Sequence, residues 1–209
     1  MGRRLAAAVA ALFCLAAGCT GEAPEPRRDT TGVIVPGRPG EQATVVPGGE
    51  AGDYRRAGAP SEADVAYVRM MIPHHQQAIT MTDLVADRAS NAQVKAIAER
   101  IAATQQAEIT LMRSWLADHG HSHADGGHGG HARMPGMATP EQLEALRAAE
   151  GAEFDRQFLR LMITHHEGAL TMAEDQLAHG VDPRAVAMAQ DVVTGQTDEI
   201  GHLRRLLGS

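Results

Sequence analysis

The sequence predicts an all-α protein, an antiparallel four-helix bundle made of two repeated helical hairpins. Aromatic residues make up 3% of the 209 positions, while Ala, Leu and Met are abundant, and this composition favours helices over sheets. Apolar residues after position 61 recur every three or four positions, as they do along one face of a helix. A shift of 91 residues also aligns positions 64–116 with 155–207 without a gap, with 16 identities in 53 positions. A single hairpin cannot bury its own apolar face, so the two hairpins should pair.

The first 19 residues resemble a bacterial lipoprotein signal. Two arginines precede an apolar run at 5–17 that is too short to span a bilayer, and "LAAGC" leads into Cys19. Cys19 would then carry the lipid, and the protein would lie outside the cytoplasm, attached to the bacterial membrane on its periplasmic or cell-surface side. The alternative is an ordinary cleaved secretory signal.

The cysteines and the charge limit the possible chemistry. Cys14 would leave with the signal and Cys19 would be lipidated, so no thiol remains for a disulfide or a metal. A metal site must therefore use His, Met and carboxylate ligands, which persist in an oxidising compartment. The formal charge is -7 and Lys95 is the single lysine, which argues against nucleic-acid binding.

The chain divides into a tether and a folded region. Residues 20–60 are rich in Pro and Gly and are expected to form a disordered spacer. The bundle is expected over 61–208. Repeat 1 covers 61–118, a His/Met-rich loop covers 119–138, and repeat 2 covers 139–208.

Capping signals place the four helices. Ser61 and Thr139 each begin a capping-box sequence, Asn91 is a plausible cap between the first two helices, and Gly120 and Gly180 follow helix ends. Gly151 could interrupt the third helix. The predicted helices cover 61–89, 91–118, 139–179 and 182–207.

The most informative phrase occurs twice, as "MMIPHHQQAITM" at 70–81 and "LMITHHEGALTM" at 161–172. In the first copy His74 lies on the apolar stripe and His75 lies about 100° around the helix. Met71 precedes the pair by one turn and Met81 follows His74 by two. The second copy repeats this pattern with Met162, His165, His166 and Met172.

The second and fourth helices bring polar residues to the same interior. Glu108 and Glu199, each preceded by a glutamine (Gln105 and Gln196), continue the apolar stripes. Burying an unpaired carboxylate costs several kcal/mol, so these residues should meet the histidines, as ligands or as acceptors for an imidazole N–H. The alternative is a neutral His–Glu–Gln network that only fixes register. Four histidines and two glutamates in matched places favour a metal.

The residue types indicate which metal. Thioether and imidazole ligands without thiolate suit Cu(I), and imidazole also suits Cu(II). The alternative for the methionines is simple packing, since a Met stripe at helical spacing is often part of a core.

The loop "HGHSHADGGHGGHARMPGM" at 119–137 contains five histidines and two methionines among glycines. It cannot build a core but can bind Cu and other divalent metals such as Zn or Ni with little selectivity. An inert linker is the alternative. The candidate ligands here are His119, His121, His123, His128, His131, Met134 and Met137.

The doubled M-x-x-H-H-x-x-A-x-x-M phrase, each copy followed by Q-x-x-E-I, resembles the domain of unknown function 305 family over 61–208. This resemblance implies a secreted or periplasmic ferritin-like bundle, with copper binding or resistance in some members. It also implies that the metal-binding set comprises Met71, His74, His75, Met81, Met162, His165, His166 and Met172.

We therefore expect an extracytoplasmic, membrane-tethered copper-binding protein without a catalytic step, which sequesters the ion or passes it on. The alternative enzyme is a ferritin-like di-metal oxidoreductase with His and Glu ligands. Such sites use a Glu from each of two helices and a Glu-x-x-His pair from each of the other two, four glutamates in all, whereas this core offers two glutamates and His-His. A metal-free interaction bundle is a third possibility, which leaves the His-rich loop unexplained.

Overall fold

The computed structural model describes residues 32–35, 42–49, 59–122 and 134–208. The predicted signal at 1–19 and three loop histidines, His123, His128 and His131, lie outside the described residues. The elements are strands β1 (Gly32–Val35) and β2 (Thr44–Pro47) and helices α1 (Glu62–Thr82), α2 (Val85–Arg88), α3 (Ala92–Asp118), α4 (Pro140–Ala148), α5 (Gly151–His179) and α6 (Pro183–Leu207).

The four long helices form the predicted bundle, and the predicted fold class is confirmed. Helices α1 and α3 make one antiparallel hairpin, and α5 and α6 make the other. The hairpins meet mainly through α1 and α5, which also run antiparallel. No helix among the described residues combines the length and apolar character that a membrane span needs.

Two predicted helices are interrupted. The first ends at Thr82, and the short α2 follows after Asp83 and Leu84. The third breaks between α4 and α5, where Ala149 and Glu150 are extended and Gly151 has a φ of 60°. Glycine adopts this left-handed conformation at little cost, so the break occurs at the interruption that the sequence suggested.

The segment before the bundle contains a strand pair that its Pro/Gly-rich composition does not predict. Strands β1 and β2 pair antiparallel, with Val33 opposite Val46 and Ile34 opposite Val45. Short runs of β-branched residues account for the pairing, because such side chains favour strands.

Two aspartates join the hairpins reciprocally. Asp64, at the start of α1, accepts hydrogen bonds from the backbone N–H groups of Val181 and Asp182, at 3.1 and 3.2 Å. A shift of 91 residues gives the equivalent contact: Asp155 accepts from the N–H groups of Ser90 and Asn91, at 3.2 and 3.0 Å. Each hairpin therefore holds the turn of the other.

The environment of Asp64 favours its charged form. Burial alone would raise the pKa of this carboxyl group, but hydrogen bonds from the Ser61 and Gln176 side chains and from backbone N–H groups hold the pKa below its usual value. The charged group is therefore well satisfied although it is inaccessible to solvent.

Asp64→Asn and Asp155→Asn should each lower the free energy of unfolding by about 1.5–3 kcal/mol, because each loses charge-assisted hydrogen bonds to the opposite hairpin. Urea denaturation followed by circular dichroism measures this. Asp198→Asn, at an exposed position of α6, is the matched control and should change stability little. Wild-type denaturation midpoints for both Asp64→Asn and Asp155→Asn would show that the aspartates do not hold the hairpins together.

Candidate metal centre

The four histidines of the repeated phrase lie together in the middle of the bundle. His74, His75, His165 and His166 are each completely buried. The rings of His74 and His165 pack against each other across the α1–α5 interface, with centroids 3.8 Å apart and planes at 34°. His75 and His166 lie outside this central pair, with ring centroids 6.5 and 6.3 Å from those of their sequence neighbours.

Three of the imidazoles donate a hydrogen bond through Nε2. His74 donates to the carbonyl oxygen of Pro135, and His165 donates to the carbonyl oxygen of His74, both at 3.0 Å. His166 donates to Oε2 of Glu199 at 2.7 Å. Because a carbonyl or carboxylate oxygen only accepts, Nε2 must carry the proton in each ring.

The fourth imidazole has the equivalent carboxylate partner. His75 Nε2 lies 2.7 Å from Oε2 of Glu108, although their orientation falls short of a hydrogen bond. This distance equals that between His166 Nε2 and Glu199 Oε2. The carboxylates thus lie beside Nε2 of the outer histidines. They are about one-fifth exposed, with side-chain exposures of 21% for Glu108 and 20% for Glu199, rather than buried as the apolar stripes suggested.

The opposite ring nitrogens have no hydrogen-bonding partner among the residues that the structure describes. In all four imidazoles Nδ1 is buried, and no described residue hydrogen-bonds to it. With the proton on Nε2, Nδ1 carries an unprotonated lone pair. A histidine that donates one ring N–H to a carboxylate or carbonyl and leaves the other nitrogen free has the arrangement of a metal ligand.

Two buried amides share this feature. The side-chain nitrogen and oxygen of Gln105 and of Gln196 are inaccessible and have no hydrogen-bonding partner among the described residues. The Tyr67 hydroxyl is in the same condition, and burial, together with the nearby carboxylates Glu108 and Asp191, raises its pKa. Buried polar atoms are nearly always paired, so these amide and hydroxyl groups have the capacity to bind a cation or ordered water.

The central histidines are neutral at physiological pH. Burial lowers the pKa of His74 to about 3, against a partly opposing hydrogen bond to Pro135. Burial and the neighbouring imidazoles also hold the pKa of His165 well below its usual value. Protons therefore do not compete for their Nδ1 lone pairs at neutral pH.

Methionines lie on both sides of the four buried histidines, which are here called the histidine layer. Because α1 and α5 run antiparallel, the two copies of the repeated phrase run in opposite directions. Met81 and Met162 belong to the apolar cluster on one side, and Met71 and Met172 belong to the cluster on the other. Each side therefore receives one methionine from each copy of the repeated phrase. Among the described residues, no three His, Cys, Asp or Glu side chains already converge on one metal position. Metal binding would need thioether ligands or a modest reorientation of the side chains.

The described parts of the loop have defined contacts. His119 ends α3, donates through Nδ1 to the carbonyl oxygen of Trp115 at 2.8 Å, and lies 3.8 Å from the Asp182 carboxylate. His121 donates its backbone N–H to the carbonyl oxygen of Leu116 at 2.8 Å. At the other end of the loop, Met134 is buried in the cluster that contains Met71 and Met172, and Met137 packs at its edge.

The sequence-based candidates omit three contributors: Pro135, Gln77 and Gly168. The Pro135 carbonyl oxygen accepts the hydrogen bond from His74. Gln77 hydrogen-bonds to the backbone of the segment that contains Pro135, and Gly168 lies against it. A signal was available, since Gln77 and Gly168 occupy equivalent positions in the two repeats and differ. Where the two repeats carry different residues close to the paired histidines, the two hairpins have different neighbours.

Residues 64–207 match a family model described as domain of unknown function (DUF305). The chain belongs to this family. Among solved DUF305 structures, a fragment from Deinococcus radiodurans is 30% identical, with 71% of this chain and 97% of that chain covered at a TM-score of 0.66. A DUF305 protein from Streptomyces coelicolor, designated as secreted, is also 30% identical, with coverages of 70% and 92% and a TM-score of 0.65.

The DUF305 bundle is also similar to CopM. In its Cu(II)-bound form CopM is 31% identical to this chain, with 69% of this chain and 95% of CopM covered and a TM-score of 0.60. CopM has also been solved with Cu(I) and with Ag. An uncharacterized protein of Acanthamoeba polyphaga mimivirus is 42% identical over 53 residues, which span 35% of its length.

Proposed function

We propose that this protein binds copper in its histidine layer and sequesters the ion or passes it on, without a catalytic step. The observation that carries the proposal is the set of four buried imidazoles, each with Nε2 beside an oxygen acceptor and with Nδ1 unpartnered within the described part of the chain. The Nδ1 atoms would hold the ion, with thioethers from the flanking methionines as further ligands. Glu108 and Glu199 would orient the outer histidines.

The ligand chemistry supports copper. Neutral imidazole with thioether suits Cu(I), and imidazole alone also suits Cu(II). The similarity to CopM, which binds Cu(I), Cu(II) and Ag, agrees with this choice. The fully buried layer offers two carboxylates at its margin, a set poor in oxygen for the di-metal oxidoreductase that was the alternative.

We further propose that the protein works outside the cytoplasm, anchored through a lipid on Cys19. The signal-like residues 1–19 and the secreted designation of the Streptomyces coelicolor protein support this location. A bundle without thiols fits an oxidising compartment. The His-rich loop would capture ions near the bundle.

Changing only the loop separates its role from that of the core. The triple variant His123→Ser, His128→Ser and His131→Ser keeps the loop length and all described contacts. Titration with Cu(I) and Cu(II) should show fewer ions bound per protein while the tightest site keeps its affinity, since that site lies in the bundle. Loss of the tightest site in this variant would place the function in the loop.

The same titrations with Zn(II) and Fe(II) test selectivity and enzyme activity. Copper should bind most tightly, and Fe(II) should bind weakly without oxygen consumption, because the core offers nitrogen and sulfur rather than four carboxylates. Tight Fe(II) binding with oxygen consumption would favour the oxidoreductase instead.

A further inference from the structure

The last five residues of the His/Met-rich loop cross the bundle at the level of the histidines. This segment, residues 134–138 and here called the strap, lies over the interface of α1 and α5. Its Pro135 carbonyl oxygen accepts the hydrogen bond from His74 Nε2 at 3.0 Å. The equivalent histidine of repeat 2 differs: His165 donates to the His74 carbonyl oxygen within the bundle.

Two glycines let the strap approach the backbone of α5. A Cβ added to Gly168 would lie 2.1 Å from the Pro135 carbonyl oxygen. A Cβ on Gly136 would lie 2.4 Å from the Thr164 carbonyl oxygen, and Gly136 has a φ of 75°. Both contacts are too close for any side chain, so these positions require glycine as long as the strap stays in place.

A glutamine on α1 holds the far end of the strap. The Gln77 side chain donates to the Ala138 carbonyl oxygen at 2.9 Å and accepts from the Ala138 N–H at 2.7 Å. Gln77 and Gly168 are equivalent positions of the two repeats. Each repeat therefore contributes the residue that its side of the strap needs: an amide to hold it on α1, and no side chain on α5.

The strap determines the state of one histidine. Without the Pro135 carbonyl, His74 Nε2 would be a buried donor with no acceptor, and the neutral ring could equally place its proton on Nδ1. That tautomer has no lone pair at Nδ1 to offer a metal. We propose that the strap fixes His74 in the tautomer that binds copper, and that Gly168 and Gln77 are positioning residues of the copper site. This inference rests on the proposed function for its metal but not for its effect on the tautomer.

The test compares two glycine variants. Gly168→Ala should displace the strap, whereas Gly195→Ala is the matched control, because its Cβ would meet nothing within 4 Å in α6. Imidazole ¹⁵N NMR of the metal-free protein reports which ring nitrogen carries the proton. We expect His74 to be protonated at Nε2 in the wild type and the control, and to become a mixture of tautomers in Gly168→Ala. His165 should remain protonated at Nε2 in all three proteins.

Copper affinity is the second readout. Gly168→Ala should bind copper about 10- to 100-fold more weakly, the usual cost of losing a hydrogen-bond partner of a metal-ligating histidine. Gln77→Met removes the two hydrogen bonds to Ala138 and keeps a side chain of similar size. It should shift the His74 tautomer and the copper affinity in the same direction, even if Gly168→Ala fails to fold. A wild-type His74 tautomer in the folded variants would overturn the role of the strap. A shifted tautomer in a protein that binds no copper in its core would leave that role standing and refute the proposed function.

Discussion

Replacing the four core histidines with glutamine is expected to weaken copper binding by at least about a hundredfold, because a ligand contributes no less than the hydrogen-bond partner of a ligand, whose loss costs 10- to 100-fold. Glutamine is the informative replacement. Its side-chain N–H can reach the acceptors that Nε2 now uses, but it has no nitrogen lone pair at the position of Nδ1. The variant carries His74→Gln, His75→Gln, His165→Gln and His166→Gln.

Competition with a Cu(I) chelator measures this loss. His179→Gln is the matched control, since His179 lies near the exposed end of α5, far along the helix from the histidine layer, and should keep wild-type affinity. Circular dichroism of the quadruple variant establishes that the bundle remains folded. Wild-type affinity in a folded quadruple variant would show that the buried imidazoles are not the copper ligands.

The metal-free protein is expected to lose about 3 kcal/mol of its free energy of unfolding between pH 6.5 and 5. Burial lowers the pKa of His74 to about 3 and that of His165 well below 6.5, whereas both titrate near 6.5 in the unfolded chain. Between these values the unfolded state binds more protons, so stability is fully present above pH 6.5 and falls as the pH approaches 3. Each such histidine contributes a slope of about 1.4 kcal/mol per pH unit.

Urea denaturation across this pH range measures the slope. The double variant His74→Gln and His165→Gln removes both of these groups and should lose the part of the slope, about 3 kcal/mol between pH 6.5 and 5, that they contribute. His179→Gln, which replaces a largely exposed histidine, is the control for the substitution itself. A wild-type protein with constant stability over this range would mean that the central imidazoles are not held neutral.

The repeat made most of the fold predictable. Its 91-residue shift and the 3.6-residue periodicity depend on local sequence, and both the bundle and the central histidines follow from them. The reciprocal contacts of Asp64 and Asp155 were harder to predict. The two repeats have Asp at this equivalent position, but nothing local shows that each aspartate binds the turn of the opposite hairpin. Contacts of this kind depend on how the hairpins dock.

The candidate site was predictable in its residue types and less so in its geometry. The stripes brought Glu108 and Glu199 to the histidines, yet a helical wheel cannot distinguish a fully buried position from one at the margin, where they lie. The role of Pro135 depends on the path of a loop whose composition of Gly, His and Met suits many conformations. Its docking is encoded by one small difference between the repeats, Gln77 in the first and Gly168 at the equivalent position of the second, and this difference acquires meaning once the helices are packed.

Silver(I) titration followed by imidazole ¹⁵N NMR tests the central claim most directly. Ag(I) is diamagnetic, binds the same soft ligands as Cu(I), and is bound by the similar protein CopM. At one equivalent, we predict that the Nδ1 resonances of the core histidines shift while their Nε2 atoms remain protonated. Unchanged core resonances, with shifts confined to the loop histidines, would contradict the assignment of the metal centre to the interior of the bundle.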